Sequence, residues 1–444
     1  MRAVLATFVA PNTALAASAA TDTDADASSS DADSLRRTSS SSLTSSSPHV
    51  KLQSSVVRLR PIPAGAAKLA AEFTYSTNAF IYDEAPDKIY VTCRGENGAN
   101  APLWKLLPWK RASPGAGVVV VDVSDAAEPR VLERWAAPNR CEGQDRRGSL
   151  LVVAQIFDGL LYTFEADNVG VGPVGSCQLS MDGALHVRLH LDARSGRLFA
   201  LVTSGFASNA WGVPGLGNLL CAVDVTDRTA PFEACRVREG VPRTPEGVFV
   251  HGDCAYLGGV TSSTLAVFDL SQLGAPASEG GSRITFLRAM SDPVYRQCVG
   301  QNTTSAALAC CGGLAPGEGL LLAALWASPA GGLGIFRLRD GGVVDEMSRL
   351  VLPELAMANR VVLLDGGARV LLPLETSPGG VALVDIADAR RPRLLARHMF
   401  TDVGDTCYCA CAKDNIIYAF AAKANRVEMF EIVEAGRRMT GDIE

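Results

Sequence analysis

The chain has 444 residues, of which 48% are hydrophobic, 6% aromatic and 20% charged, with 42 Gly and 23 Pro, a globular composition rich in small residues and turns. Its formal net charge of −6, from 41 basic and 47 acidic residues, supplies no basic footprint for nucleic acid or an anionic membrane. Beyond the N-terminal leader there is no run of about 18 apolar residues, so no membrane-spanning helix is expected.

Residues 1–20 open with Met1-Arg2, an apolar run from Ala3 to Ala10, Pro11, and Ala14-Leu15-Ala16. A charged start, a short apolar stretch and a small-residue triplet resemble a secretory signal, which implies an extracellular or secretory-pathway setting. An Ala-rich disordered terminus or an organellar transit leader is the alternative, and it leaves a cytoplasmic or organellar location open. Residues 21–51 are mostly Ser, Thr, Ala and Asp, and cannot bury enough apolar area to offset chain entropy. They read as a disordered spacer.

From residue 52 onward the sequence repeats. Val121-Asp122-Val123-Ser124-Asp125, Val223-Asp224-Val225-Thr226-Asp227 and Val384-Asp385-Ile386-Ala387-Asp388 nearly superimpose, and in each a proline (Pro129, Pro231, Pro392) follows the first Asp by seven positions. Phe268-Asp269-Leu270 keeps that offset, to Pro276. Weaker copies centre on Glu165, Arg337 and Glu431, giving seven units with a mean step of about fifty residues. A second apolar run precedes each repeated strand, as in Ile89-Tyr90-Val91, Leu160-Leu161-Tyr162 and Ile416-Ile417-Tyr418. Turn pairs lie upstream of most: Asp158-Gly159, Gly252-Asp253, Asp365-Gly366 and Asp414-Asn415. After the Asp-to-Pro turn comes a short polar strand such as Arg130 to Trp135, with Pro at an edge where no ladder donor is lost. Four short strands per unit, apolar on both faces, bury themselves by stacking on their neighbours. The predicted fold is all-β: a single seven-bladed β-propeller over 52–444, preceded by the disordered N-terminal segment.

The segment Val118 to Arg130 resembles the Leu-Val-Ile-Val-Asp repeat of a β-propeller family frequent in surface and secreted proteins, and the likeness extends over about residues 75 to 444. It implies the fold. Members of that class share no single reaction, so it implies no catalytic residue.

Several residues are candidates for chemistry. His186, Arg188 and His190 alternate on one strand face, although two imidazoles four residues apart are separated by about 13 Å of strand rise. Satisfied polar groups between blades are the structural reading; the functional one is a site at the mouth of the central channel, formed with Glu246 and His251 from the next unit. Cys407, Cys409 and Cys411 are expected on one strand face, either as small buried hydrophobes or, with Cys407 beside His186 and His190, as ligands of a divalent metal. Cys298, Cys310 and Cys311, with the sequon Asn302-Thr303-Thr304, lie in the longest departure from the repeat. The repeated Asp122, Asp224 and Asp385 read as turn-closing side chains rather than ligands. Familiar catalytic and phosphate-loop motifs are absent from the sequence.

Two functions remain. The first is a binding or scaffold propeller that engages a protein or glycan partner through long loops at 95–116, 203–217 and 291–318. The second is an enzyme or metal binder at the channel mouth. A monomer is expected.

Overall fold

The computed structural model describes residues 56–69, 72–96, 113–156, 158–181, 183–204, 218–243, 245–259, 264–291, 319–326 and 329–435. Each repeat becomes one antiparallel sheet. In blade one the strands run from the channel outward as Ser76–Tyr82, Ala85–Arg94, Ala116–Asp122 and Arg130–Ala136. Blades two, three, four and six keep this order, with innermost strands Cys141–Arg147, Ala184–Leu191, Pro245–His251 and Val362–Leu364. Blade five is described by three strands, Gly319–Leu325, Gly331–Arg339 and Val343–Leu352. Residues 292–318, which precede them, lie outside the described residues, as do Cys298, Cys310, Cys311 and the sequon.

The ring closes with chain from its two ends. Blade seven takes Cys407–Lys413, Ile416–Ala421 and Arg426–Ala435 from the C-terminal side, and its outermost strand is Val56–Pro61. The register pairs Val57 with Glu434 and Arg60 with Glu431. Ser54–Glu444 forms one compact unit; the other, Met1–Gln53, lies outside the described residues.

The continuous apolar runs follow from burial on both faces, because successive side chains point to opposite sides of a strand. In the second strand of blade three, Phe199 and Leu201 enter the seam with blade four, while Ala200 and Val202 enter the seam with blade two. Among the described residues the core divides into seven such clusters, one per seam. The seam between blades seven and one joins Ile89, Val91 and Val119 to Cys411, Tyr418 and Phe420, and Phe73 meets Phe420 edge-on at 5.1 Å between ring centres.

The repeated Asp closes a turn in every strong copy. A side-chain oxygen accepts the backbone N–H two residues on: Ser124 to Asp122 at 2.9 Å, Thr226 to Asp224 at 2.8 Å, Ser271 to Asp269 at 2.7 Å and Ala387 to Asp385 at 2.9 Å. The second Asp of the unit repeats the device, with Ala127 donating to Asp125 and Thr229 to Asp227. The other oxygen takes an arginine, Arg130 Nε on Asp122 at 3.1 Å and Arg197 Nε on Asp224 at 2.6 Å. Blade two departs from the expected division of its strands. Leu160–Glu165 is one strand, and the second strand is Leu150–Gln155. Asp158-Gly159 therefore joins the second strand to the third, whereas Gly252-Asp253, Asp365-Gly366 and Asp414-Asn415 join the first to the second. All four tips contain a residue at positive φ, such as Gly252 at 55° and Asp414 at 53°.

Candidate functional site

Five innermost strands break register near their starts, between Ser76 and Asn78, Cys141 and Gln144, Ala184 and His186, Glu246 and Val248, and Cys407 and Cys409. Such bulges re-aim side chains. Gly247 carries one of them at φ 68°, and a Cβ on Gly143 would stand 2.5 Å from the Leu185 carbonyl of the next blade. The bulges deliver polar groups to the end of the channel where the inner strands begin.

There Arg94, from the end of the second strand of blade one, donates through Nε to Glu142 Oε2 at 2.6 Å. Both side chains are almost fully buried. The Arg94 guanidinium lies against the rings of Tyr75 and Tyr408, 5.9 and 5.6 Å from their centres, and the two phenol oxygens are 3.1 Å apart. Arg360 Nη2 stands 4.0 Å from Glu142 Oε1, and its Nη1 stands 3.5 Å from His186 Nδ1. A guanidinium only donates, so Nδ1 accepts and the neutral ring carries its proton on Nε2. Burial, followed by Arg360, Arg94 and Arg188, pushes the His186 imidazolium well below the usual histidine range. Arg140 completes the group; burial and Arg94 lower its pKa to about 10. Glu375, raised by burial, accepts Trp326 Nε1 and Asn359 Nδ2, each at 2.7 Å.

Below this mouth the channel holds a cavity of about 510 Å³, lined from blades one, two, three, four, six and seven. Its polar wall includes Asn78, Gln144, His186, Arg188 and Arg360, and Val187, Val248 and Phe249 belong to its apolar part. Arg188 Nη1 lies 3.4 Å from Asp145 Oδ1, while Asp145 also accepts the backbone N–H groups of Leu189 and Arg146.

The predicted candidates separate on this frame. His186 and Arg188 both line the cavity. His190 lies further along the strand, where burial lowers its pKa and Asp192 and Asp253 are nearby. His251 ends its inner strand opposite Cys254 at the far end from the mouth, and Glu246 sits at the start of that strand, with its side chain outside the described residues. Cys407 does not share a face with the other two thiols. The bulge after it sends Cys407 into the seam with blade six and Cys409 and Cys411 into the seam with blade one. Burial pushes the Cys407 thiol far up, and its Sγ donates to the Cys409 carbonyl. Among the described residues no three His, Cys, Asp or Glu side chains stand close enough to hold a metal ion. A cation beside His186 would face two guanidiniums, Arg360 and Arg188.

Sequence reasoning missed Arg94, Arg140, Glu142, Arg360, Tyr75 and Tyr408. Glu142 and Arg360 stand within two residues of the start of an inner strand, but Arg94 ends a second strand, and no local pattern marks the set.

No family model matches the chain, and no curated protein matches it. Its likeness is to solved structures. Raptor from Chaetomium thermophilum aligns over 82% of this chain and 29% of that chain, with 11% identity and a TM-score of 0.52. A protein of unknown function from Desulfotomaculum acetoxidans DSM 771 aligns over 74% of this chain and 90% of that chain, with 10% identity and a TM-score of 0.47. At such identities the likeness to Raptor is one of fold. The chain is a seven-bladed β-propeller. Among the described residues, no helix is long and apolar enough to cross a membrane.

Proposed function

We propose that this propeller is a binding module that engages a protein or glycan partner with the end of the ring where its inner strands begin. One observation carries the reading: the longest inserts are rooted there. Cys93, just before one insert, pairs with Ser76 at the start of the inner strand of blade one, and Ser204, before another, pairs with Ala184 at the start of that of blade three. Ser291, which precedes 292–318, pairs with Thr264 at the same end of blade four. The inserts therefore leave the scaffold around the polar channel mouth, as binding loops on a rigid frame do. The Val-Val-Asp repeat supports placing the chain among the Leu-Val-Ile-Val-Asp propellers, a class without a shared reaction.

Replacement of 97–112 and 205–217 by short turns tests the reading. The shortened protein should keep its melting temperature and lose the specific partners, protein or glycan, that the intact chain retains in affinity mass spectrometry and on a glycan array. Undiminished retention of the same partners would overturn it.

A further inference from the structure

The outermost strand of a blade pairs on one side only, so its other side offers a row of backbone donors and acceptors to any passing strand. Most blades spoil that row. In blades one, three, four, five and six the outermost strand carries one extra residue against its neighbour: Leu132, Ala234, Leu287, Met347 and Leu395. Such a bulge bends the strand and raises its twist, which makes it a poor template for another chain. The outermost strand of blade two, Gly175–Gln178, is only four residues long and tucks against blade three. A Cβ on Gly175 would stand 2.3 Å from the Arg228 carbonyl, and Ser180, just beyond the strand, donates its backbone N–H and its hydroxyl to Glu233.

Blade seven differs. Val56–Pro61 pairs with Phe430–Ala435 through all six residues without a shift. Its other side takes no strand and no further backbone bond among the described residues, which leaves about 20 Å of regular edge. The two faces of this strand are unequal. Val57 and Leu59 enter the seam with blade six, while Arg58 and Arg60 are exposed. Arg60 holds Glu431, but Arg58 makes no ion pair among the described residues. The outermost strand of blade six, packed beside it, adds the exposed Arg397, whose Nη1 donates to the Glu354 carbonyl at 3.4 Å. The carboxylates of the paired strand are already engaged: Glu431 also accepts Asn415 Nδ2, and Glu434 meets Arg369.

That charge decides which strand can pair there. A second copy is disfavoured, because an antiparallel register that overlaps the strand and keeps its faces sets arginine opposite arginine. A segment with carboxylates at alternate positions meets the arginines instead, and apolar residues between them continue the seam face.

We propose that Val56–Pro61 is a docking edge for an extended acidic segment of a partner protein, which adds a fifth strand to blade seven with its carboxylates on Arg58 and Arg60. This edge lies on the outer wall of the ring and does not depend on the partner surface at the channel mouth.

Fluorescence anisotropy with the full chain decides it, with the labelled peptide Thr-Val-Glu-Val-Glu-Val-Thr as the probe. One control peptide carries Lys at both Glu positions. A second keeps both Glu and has Pro in place of two Val, which removes backbone donors at unchanged charge. The Glu peptide should bind saturably and at least about tenfold more tightly than either control. Arg58→Glu should weaken it by about tenfold or more and turn the preference toward the Lys peptide. Arg58→Gln removes the charge alone, should give an intermediate loss, and serves if the Glu variant folds poorly. No saturable binding at millimolar concentration, equal binding of the Pro peptide, an affinity indifferent to both Arg58 variants, or dimers of the intact protein that the peptide dissociates would each overturn the proposal.

Discussion

A carboxylate that closes a turn and one that also anchors an arginine should differ in what they contribute. Asp122 and Asp224 accept the same backbone bond, but Asp224 is buried and holds Arg197 at 2.6 Å, while the Arg130 partner of Asp122 is exposed. Asp122→Ala should cost about 0.5–1 kcal/mol and Asp224→Ala about 1–3 kcal/mol, read as midpoint shifts in urea unfolding. A reversed order would mean that the arginine contact adds nothing. The Arg94–Glu142 pair sets a second comparison. Glu142→Ala should cost about 3–5 kcal/mol, because a buried guanidinium loses its counter-charge, and Arg94→Met combined with Glu142→Leu should recover most of that loss. His186 gives a pH signature. Its folded pKa is depressed below the unfolded value, so the unfolded chain binds its proton first as pH falls. Stability should decline below about pH 6.5 with a slope of up to about 1.4 kcal/mol per pH unit, and His186→Asn should flatten that slope. Of these groups the sequence pointed to the repeated Asp residues, because their offset to Pro is local, and to His186, because it alternates with Arg188 and His190 on one strand. Arg94, Glu142 and Arg360 carry no such mark: their meeting is a property of the ring, between positions 48 and 218 residues apart.

Strand alternation is a safe guide only while register holds. Phe199 to Val202 alternate between two seams, since that strand pairs with the next without a break. Alternation failed for Cys407, Cys409 and Cys411, because a bulge inserts one residue between the first and second thiol. No residue type announced that bulge; Tyr408, the extra residue, reads as an ordinary strand former until its hydroxyl is seen beside Tyr75. The same bulge makes the cysteines seam residues, and their environment predicts inertness. Burial pushes Cys93 up to about 11 and raises Cys407 and Cys411 far above the ordinary thiol range. Peptide-resolved alkylation of the native protein at neutral pH should leave Cys93, Cys407, Cys409 and Cys411 unmodified, and denaturation should expose all four. Rapid native labelling of Cys409 or Cys411 would show that the seam between blades seven and one opens.

At the scale of the ring, blade seven is the weak point, because its four strands come from the two ends of the chain. Every other described blade is a local meander, whose strands find one another over short loops. Val56–Pro61 must instead return to Arg426–Ala435 across about 370 residues, and its docking adds Val57 to the seam between blades six and seven. This closure was not read from the seven-copy count, since Val56–Pro61 lies upstream of every copy. Without it, the strand Arg426–Ala435 would present an unpaired edge, and an exposed edge recruits another chain. Removal of residues 1–62 should therefore lower the melting temperature and shift the protein toward dimers or larger species in sedimentation velocity. A synthetic peptide spanning residues 54–62 should reverse both effects by occupying that edge. Replacement of Val57 by Asp in the peptide should abolish the rescue, because the seam offers that carboxylate no partner among its apolar residues. A truncated protein that stays monomeric and melts with the intact chain would mean that seam packing alone holds the ring closed.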